Sequence, residues 1–375
     1  MLRFLTGGES HGKCLVVILE GIPSGLKLTS EDINKDLVRR QKGYGRGDRM
    51  LIEKDSAEIL SGVRGGVTIG SPITILINNK DWENWKDKEV PPITTPRPGH
   101  ADLAGAIKYN HKDVRNILER ASARETAARV AVGAIAKKFL GEFNISIIGY
   151  VVEIGGIKAN LKNITVKDLP KIENSLVRCP DKKAEIRIIK KIELMKKKKD
   201  TIGGIFEVKV INVPIGLGSF IQYDRRLDAR LASSVMSIQG IKGVEIGLGF
   251  RGSGTPGSKY HDEIFYRNRM FFRKTNNAGG IEGGMSNGED IILRAVMKPI
   301  STLYNPLNSV DIVTKKSEKA TVQRSDICAV PSACVVAESM VAFEIAFCFL
   351  EKFGGDSLKE IMRNYNSYLK YIKNF

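Results

Sequence analysis

The stretch TGGESHGKC, residues 6–14, fits the nucleotide-binding pattern G-x-x-x-x-G-K-[ST] at Gly7, Gly12 and Lys13. It breaks the pattern at Cys14, where a magnesium-holding hydroxyl belongs. A phosphate loop must also open a helix, whose free N–H groups and positive dipole end face the phosphates. The next residues, LVVILEGIPSGL (15–26), are instead an apolar, β-branched run ended by Gly21, Pro23 and Gly25. That composition predicts a strand and a turn. The stretch therefore reads as the loop of a glycine-flexed β-hairpin, with Glu9, Ser10 and His11 at its tip. Taken alone, His11 reads first as an exposed turn residue and only second as a group for proton transfer near neutral pH.

Working outward, three early segments have counterparts roughly two hundred residues later and in the same order, as a duplicated unit would give. LEGIPSGL (19–26) pairs with VINVPIGLG (210–218), and GVRGGVTIGSPITILI (62–77) with GGIEGGMSNGEDIILRAVM (279–297). RASARETAARVAVGAIAKKFL (120–140) pairs with RSDICAVPSACVVAESMVAFEIAFCFL (324–350), an arginine and serine ahead of a long apolar helix. Each half then reads as strand, turn, polar helix, glycine-rich strand pair and buried helix. Hairpin connections with helices in blocks predict an α+β fold of antiparallel sheets covered by helices. We expect one domain over 1–375, with halves at about 1–150 and 200–375 joined by a Lys-rich helical segment.

That segment, DKKAEIRIIKKIELMKKKKD (181–200), places Ala184, Ile188, Ile192 and Met195 at helical spacing and its lysines on the other faces. It is a solvated surface helix first and a nucleic-acid contact second. The whole chain carries 59 Lys+Arg against 42 Asp+Glu, a formal +17, and so attracts anions. A nucleic-acid-binding protein would interleave aromatic residues with its basic ones. RRQKGYGRGDR (39–49) holds only Tyr44, and the lysine helix holds none. The arginines instead stand among glycines and serines, there and in ERASARETAAR (119–129), as forks for phosphate and carboxylate would. Five cysteines without a C-x-x-C pair suit a reducing compartment. ACVVAESMVAFEIAFCFL (333–350) is interrupted by Glu338 and Glu344 and predicts a buried helix rather than a membrane span. GLGFRG (247–252) matches a dinucleotide fingerprint, but SGTPGS comes next where a helix should open, so it reads as a flexible loop.

Taken together, six colinear segments resemble the chorismate synthase family. They are GESHG (8–12), GRGDRM (45–50), RPGHADLAGAIKY (97–109), ERASARETAARVAVGAIA (119–136), GGIEGGMSNGE (279–289) and RSDICAVPSACVVAES (324–339). The resemblance covers nearly the whole chain. It implies an α+β sandwich, a homotetramer, a cytoplasmic location, and no membrane or nucleic-acid partner. The implied reaction is a 1,4-elimination of phosphate from 5-enolpyruvylshikimate-3-phosphate, a phosphorylated dicarboxylate, to give chorismate. Reduced FMN is implied as cofactor although no net oxidation occurs.

By the same resemblance His11 protonates or hydrogen-bonds the reduced flavin, and His100 acts as acid toward the departing phosphate. Asp326 takes the position associated with proton removal relayed through the flavin. From the residues alone, Asp326 reads first as a helix N-terminal charge. Ser10, Arg40, Arg46, Arg49 and Arg124 are implied substrate-binding residues, with help from Ser122. Arg120, Ala121, Ser122, Gln239, Gly240, Gly283, Arg324 and the run Lys298, Pro299, Ile300, Ser301, Thr302 are implied flavin positions. Cys14, Val16, Asn110, His111 and Ile327 depart from the family pattern without touching an implied catalytic group. His111 and His261 read as surface histidines. A flavin-dependent oxidoreductase on the same scaffold is the alternative, distinguished by consumption of reducing equivalents.

Overall fold

The expected hairpin forms: Arg3–Gly7 pairs antiparallel with Cys14–Glu20, setting Thr6 opposite Val17 and Gly7 opposite Val16. Alternation sends Leu15, Val17 and Leu19 into the core, while Leu5 and Ile18 stay exposed on the other face. The structure, a computed structural model, describes residues 1–47, 54–323 and 325–375. Arg49 and Arg324 lie outside the described residues.

Two antiparallel sheets organise the chain. The first has the order Arg3–Gly7, Cys14–Glu20, Ile73–Asn78, Ala57–Ile59. The second runs Ile241–Ile246, Ile291–Met297, Gly204–Ile211, Ser146–Ile154, Ile157–Lys158. The fold is α+β, with the helices Thr126–Gly141 and Val330–Phe353 packed on each other. Ser30–Gln41 flanks the first of these and Leu227–Met236 the second.

Two of the segments that echo each other in sequence contain similar glycine hairpins, each a two-stranded ladder apart from the two main sheets. Gly65 and Gly66 (φ +56° and +75°) close one tight hairpin, and Gly283 and Gly284 (φ +56° and +83°) close its counterpart. Positive φ at both central residues is what a type I′ turn needs, and glycine adopts it without strain. Next to the first turn, the Thr68 hydroxyl donates to Pro23 O (2.7 Å) and accepts from Leu26 N (3.0 Å). Next to the second, the Ser286 hydroxyl donates to Pro214 O (2.6 Å) and accepts from Leu217 N (2.8 Å). The same side-chain clasp thus fastens both turns.

The Lys-rich helix forms over Lys182–Lys197, capped by Asp181 and seated on Ala184, Ile188 and Ile192. It lies in the chain between Ser146–Ile154 and Gly204–Ile211, which are neighbouring strands of the second sheet. The apolar strand Ser146–Ile154 comes directly after the Thr126–Gly141 helix and reads in sequence as the end of the first half. Its pairing, Val151 opposite Phe206, joins it to a strand beyond the Lys-rich helix. The GLGFRG segment runs into a short 3₁₀ turn over Gly249–Gly254.

The Val330–Phe353 helix is long and apolar enough to cross a membrane, yet most of it is buried inside the protein. Its crossing with Thr126–Gly141 is very close: a β-carbon on Gly133 would overlap both Cα and Cβ of Ser339. One residue before Ser339, the fully buried Glu338 accepts from Arg39 (2.9 Å), Arg178 (2.8 Å), Lys137 (2.8 Å) and Gly149 N (2.9 Å). Burial alone would raise its pKa, but these cations hold the carboxyl well below the usual range.

Gly133→Ala therefore forces backbone apart and is expected to destabilise the chain by about 3 kcal/mol. Gly141→Ala, at the end of the same helix with open space around it, should be neutral or stabilising by up to about 0.5 kcal/mol. Denaturant midpoints of the two variants measure the contrast; equal midpoints would contradict the tight crossing.

Candidate active site

The 8–13 loop is strapped to the helix Arg115–Ala121. Ser10 N donates to Glu119 O (2.9 Å), and the Ser10 hydroxyl to Ser122 Oγ (3.1 Å). Arg120 donates to Thr6 O (2.9 Å) and Gly8 O (3.1 Å). His11 lies against Glu119 twice, with its backbone N–H on Oε2 and its ring Nδ1 on Oε1, both at 2.7 Å. Burial would raise the Glu119 pKa, but the His11 bonds hold it below the usual carboxylate value. The half-buried Trp85 covers the ring, centroid to centroid at 4.4 Å. Asn79 ties the loop to the floor of the site: its amide donates to Glu9 O (3.1 Å) and Gly12 O (2.6 Å) while its oxygen accepts from Arg124 Nε (2.8 Å).

His100 has a similar brace. Its Nδ1 sits 2.5 Å from Oδ1 of the buried Asp102, at the start of the Asp102–Tyr109 helix. Arg97 shares that carboxylate through Nε (2.9 Å) and its backbone N (3.0 Å), and donates to Thr302 Oγ1 (2.9 Å). Burial would raise the Asp102 pKa; the bonds from His100 and Arg97 instead drive it far down. A carboxylate on Nδ1 favours a proton there and turns Nε2 away from Asp102.

The floor is cationic. Arg40 and Arg124, both buried, flank the single carboxylate of Asp55, Arg40 at 2.7 Å. Among the described residues the two guanidinium groups share this carboxylate, and such planar forks suit carboxylate and phosphate ligands. Arg40 Nε is buried with no hydrogen-bond partner among the described residues. Asp326 meets Arg46 Nε (3.0 Å) and accepts from Gly47 N (2.7 Å). Gly45, at φ +88°, permits this approach: its carbonyl accepts from Ile327 N (2.7 Å), and a β-carbon there would press on Ile192 at 2.9 Å.

Many of these side chains line one cleft of about 1070 Å³, with Asp55, Asn79, Asp102 and Glu119 behind its lining. It brings together the candidates His11, His100, Asp326, Ser10, Arg40, Arg46 and Arg124. The same cleft holds Ala121, Ser122, Gln239, Gly240, Lys298, Pro299, Ile300, Ser301 and Thr302. Lys298 donates to Gly99 O (3.0 Å), and burial, then the neighbouring Lys242, lower its pKa. Gly283 sits in its exposed hairpin turn and Arg120 on the loop strap, both off the cleft lining. His111 and His261 are exposed. Asn110 takes the left-handed C-cap of its helix, a position that suits asparagine.

Sequence reasoning missed Asp55, Asn79, Trp85, Arg97, Asp102, Glu119 and Lys242. Asp102 stands two residues after His100 and Glu119 directly precedes the arginine–serine motif, so those two had a local signal. Asp55 and Asn79 had none, because their partners are distant in sequence.

Two braced imidazoles and a carboxylate around a cationic cleft define an enzyme that moves protons on a small anionic substrate. Residues 2–350 match the family model of chorismate synthase. Proteins named chorismate synthase from Geobacter metallireducens, Desulforamulus reducens and Caldanaerobacter subterraneus subsp. tengcongensis are 58%, 56% and 56% identical, with each chain fully covered. A crystal structure of a chorismate synthase, 46% identical, superposes with a TM-score of 0.84 over 100% of this chain and 99% of that one. The chain belongs to the chorismate synthase family and is a lyase.

Asp102 gives a pH-dependent test. Its depressed pKa contributes stability that is complete above the unfolded value near 3.9 and is lost as pH falls toward the folded value. Asp102→Asn leaves Arg97 buried without its anion and should cost about 3 kcal/mol at pH 7. The gap from the parent protein should narrow below about pH 4. A gap constant with pH in urea titrations would contradict this arrangement.

Proposed function

We propose that this cleft binds reduced FMN beside 5-enolpyruvylshikimate-3-phosphate and eliminates phosphate across a 1,4 system to give chorismate. The observation that carries the reading is the convergence of His11, His100 and Asp326 on one cleft that Arg40, Arg46 and Arg124 also line.

The lining fits a flavin. Gln239 Oε1 is buried with no hydrogen-bond partner among the described residues, while its amide nitrogen donates to Glu125 (3.3 Å). That oxygen suits a ring N–H. Gly240, at φ +85°, keeps the backbone low beside it. Lys298 and Ser301 supply a cation and a hydroxyl for a phosphate. Bound reduced FMN supplies an electron-rich ring that assists departure of an anionic leaving group.

The chain's residues do the rest. Arg40, Arg46 and Arg124 hold the substrate anions. His100, with its Nδ1–H held on Asp102 and a second proton on Nε2, gives that Nε2 proton to the departing phosphate oxygen as acid. His11 holds a hydrogen bond to the flavin. Asp326 receives the ring proton. The electron pair of the broken C–H bond enters the new π system and the C–O pair leaves with phosphate, so no net redox change results. Loss of phosphate without consumption of reducing equivalents separates this reading from the oxidoreductase alternative.

The assembly is a homotetramer in the cytoplasm, with neither membrane nor nucleic acid as partner. The exposed cluster of Phe220, Ile221 and Tyr223 supports burial against another subunit.

The test is anaerobic incubation with chemically reduced FMN and the substrate, monitoring chorismate absorbance and phosphate together. Equal release of both is expected, with the flavin still reduced. His100→Ala should lower turnover by about a hundredfold. Flavin oxidation in step with product, or a parent-like rate in His100→Ala, would overturn the assignment.

A further inference from the structure

We propose that Glu119 is a positioning residue for His11, holding the imidazole in one orientation and one tautomer so that Nε2 is its working atom. The inference rests on the proposed role of His11 at the flavin.

His11 rides on a loop with Gly8 before it and Gly12 after it, so secondary structure does little to fix its side chain. Glu119 compensates with both oxygens, one on the backbone N–H and one on ring Nδ1, each at 2.7 Å. The clamp therefore fixes the loop and the ring together. It is also little exposed, with 15% of the Glu119 side chain open to solvent and 19% of His11. Trp85 closes over the ring and is itself held by its indole N–H on Asp81 Oδ2 (2.8 Å).

The contrast with the second imidazole shows why this carboxylate matters. Asp102 divides its oxygens between His100 and the guanidinium of Arg97. Both oxygens of Glu119 go to His11. Replacing that carboxylate by an amide leaves Nδ1–H without a charged acceptor, and a flipped ring or the other tautomer becomes competitive. Residues that orient a working histidine typically change its output ten- to a hundredfold when removed.

The test uses the full-length enzyme with reduced FMN and substrate, comparing His11→Gln, Glu119→Gln, Glu119→Asp and the double variant His11→Gln/Glu119→Gln. Glu119→Gln should lower kcat about thirtyfold with KM within about threefold, and Glu119→Asp should recover part of the loss. In the His11→Gln background the Glu119→Gln change should cost less than about twofold, because the two act as a unit. The chain has only four histidines, so ¹⁵N-histidine labelling and solid-state NMR of the sedimented protein report the tautomer without reference to activity. The His11 signals, assigned by their loss in His11→Gln, should show a protonated Nδ1 in the parent and a mixture in Glu119→Gln. A parent-like rate in His11→Gln defeats the role of His11 itself. An impaired His11→Gln beside a parent-like Glu119→Gln, a full Glu119 effect persisting in the double variant, or an unchanged tautomer defeats the positioning role alone.

Discussion

The close crossing of Thr126–Gly141 and Val330–Phe353 is the constraint on which the rest of the architecture depends. Gly133 has no side chain because Ser339 occupies the space where one would be. Beside that point Glu338 draws Arg39 from the Ser30–Gln41 helix, Arg178 from the segment ahead of the Lys-rich helix and Gly149 from the second sheet onto a single buried carboxylate. Such a cluster contributes specificity of arrangement more than net stability, because desolvation offsets much of its Coulomb attraction. Its geometry sets how the long helices and the second sheet meet.

That meeting places the N-terminal ends of both long helices at the cleft. Ala123, Arg124 and Thr126 come from the start of one, and Ala329, Ser332 and Ala333 from the start of the other. Helix N-termini carry free N–H groups and a positive dipole end, which favour anions. Arg40 and Arg124 add formal charge at the same place, so backbone and side chains agree in sign. The +17 of the whole chain acts at longer range, drawing anionic ligands toward a cleft already prepared for them. Proton-handling groups then stand on separate rims: His11 on a hairpin loop, His100 before a short helix and Asp326 ahead of the buried helix.

Much of this is legible in the sequence, for identifiable reasons. The strand after Cys14 rules out a phosphate loop, and the helical spacing of Ala184, Ile188 and Ile192 marks the lysine helix. His11, His100 and Asp326 sit inside motifs. Pairing across distance is what stays hidden. Glu119 and His11 are 108 residues apart, and Arg124 and Asp55 are 69 apart. No local pattern marks a carboxylate whose partner arrives only on folding. The sheet partner of Ser146–Ile154 is hidden for the same reason, since it lies beyond the Lys-rich segment. Gly283 presents the opposite case, a motif glycine whose backbone role, a left-handed hairpin turn, is plain while its own chain keeps it off the cleft.

The most direct measurement of the central claim is a crystal structure of the protein with FMN and the phosphorylated enolpyruvyl substrate bound together. We expect both ligands in the cleft between the two helix N-termini, with substrate anions on Arg40 and Arg124, the phosphate within reach of His100 Nε2, and the flavin edge against His11 and Gln239. Ligands bound elsewhere, or a flavin that leaves His11, His100 and Asp326 without contact to either molecule, would contradict it.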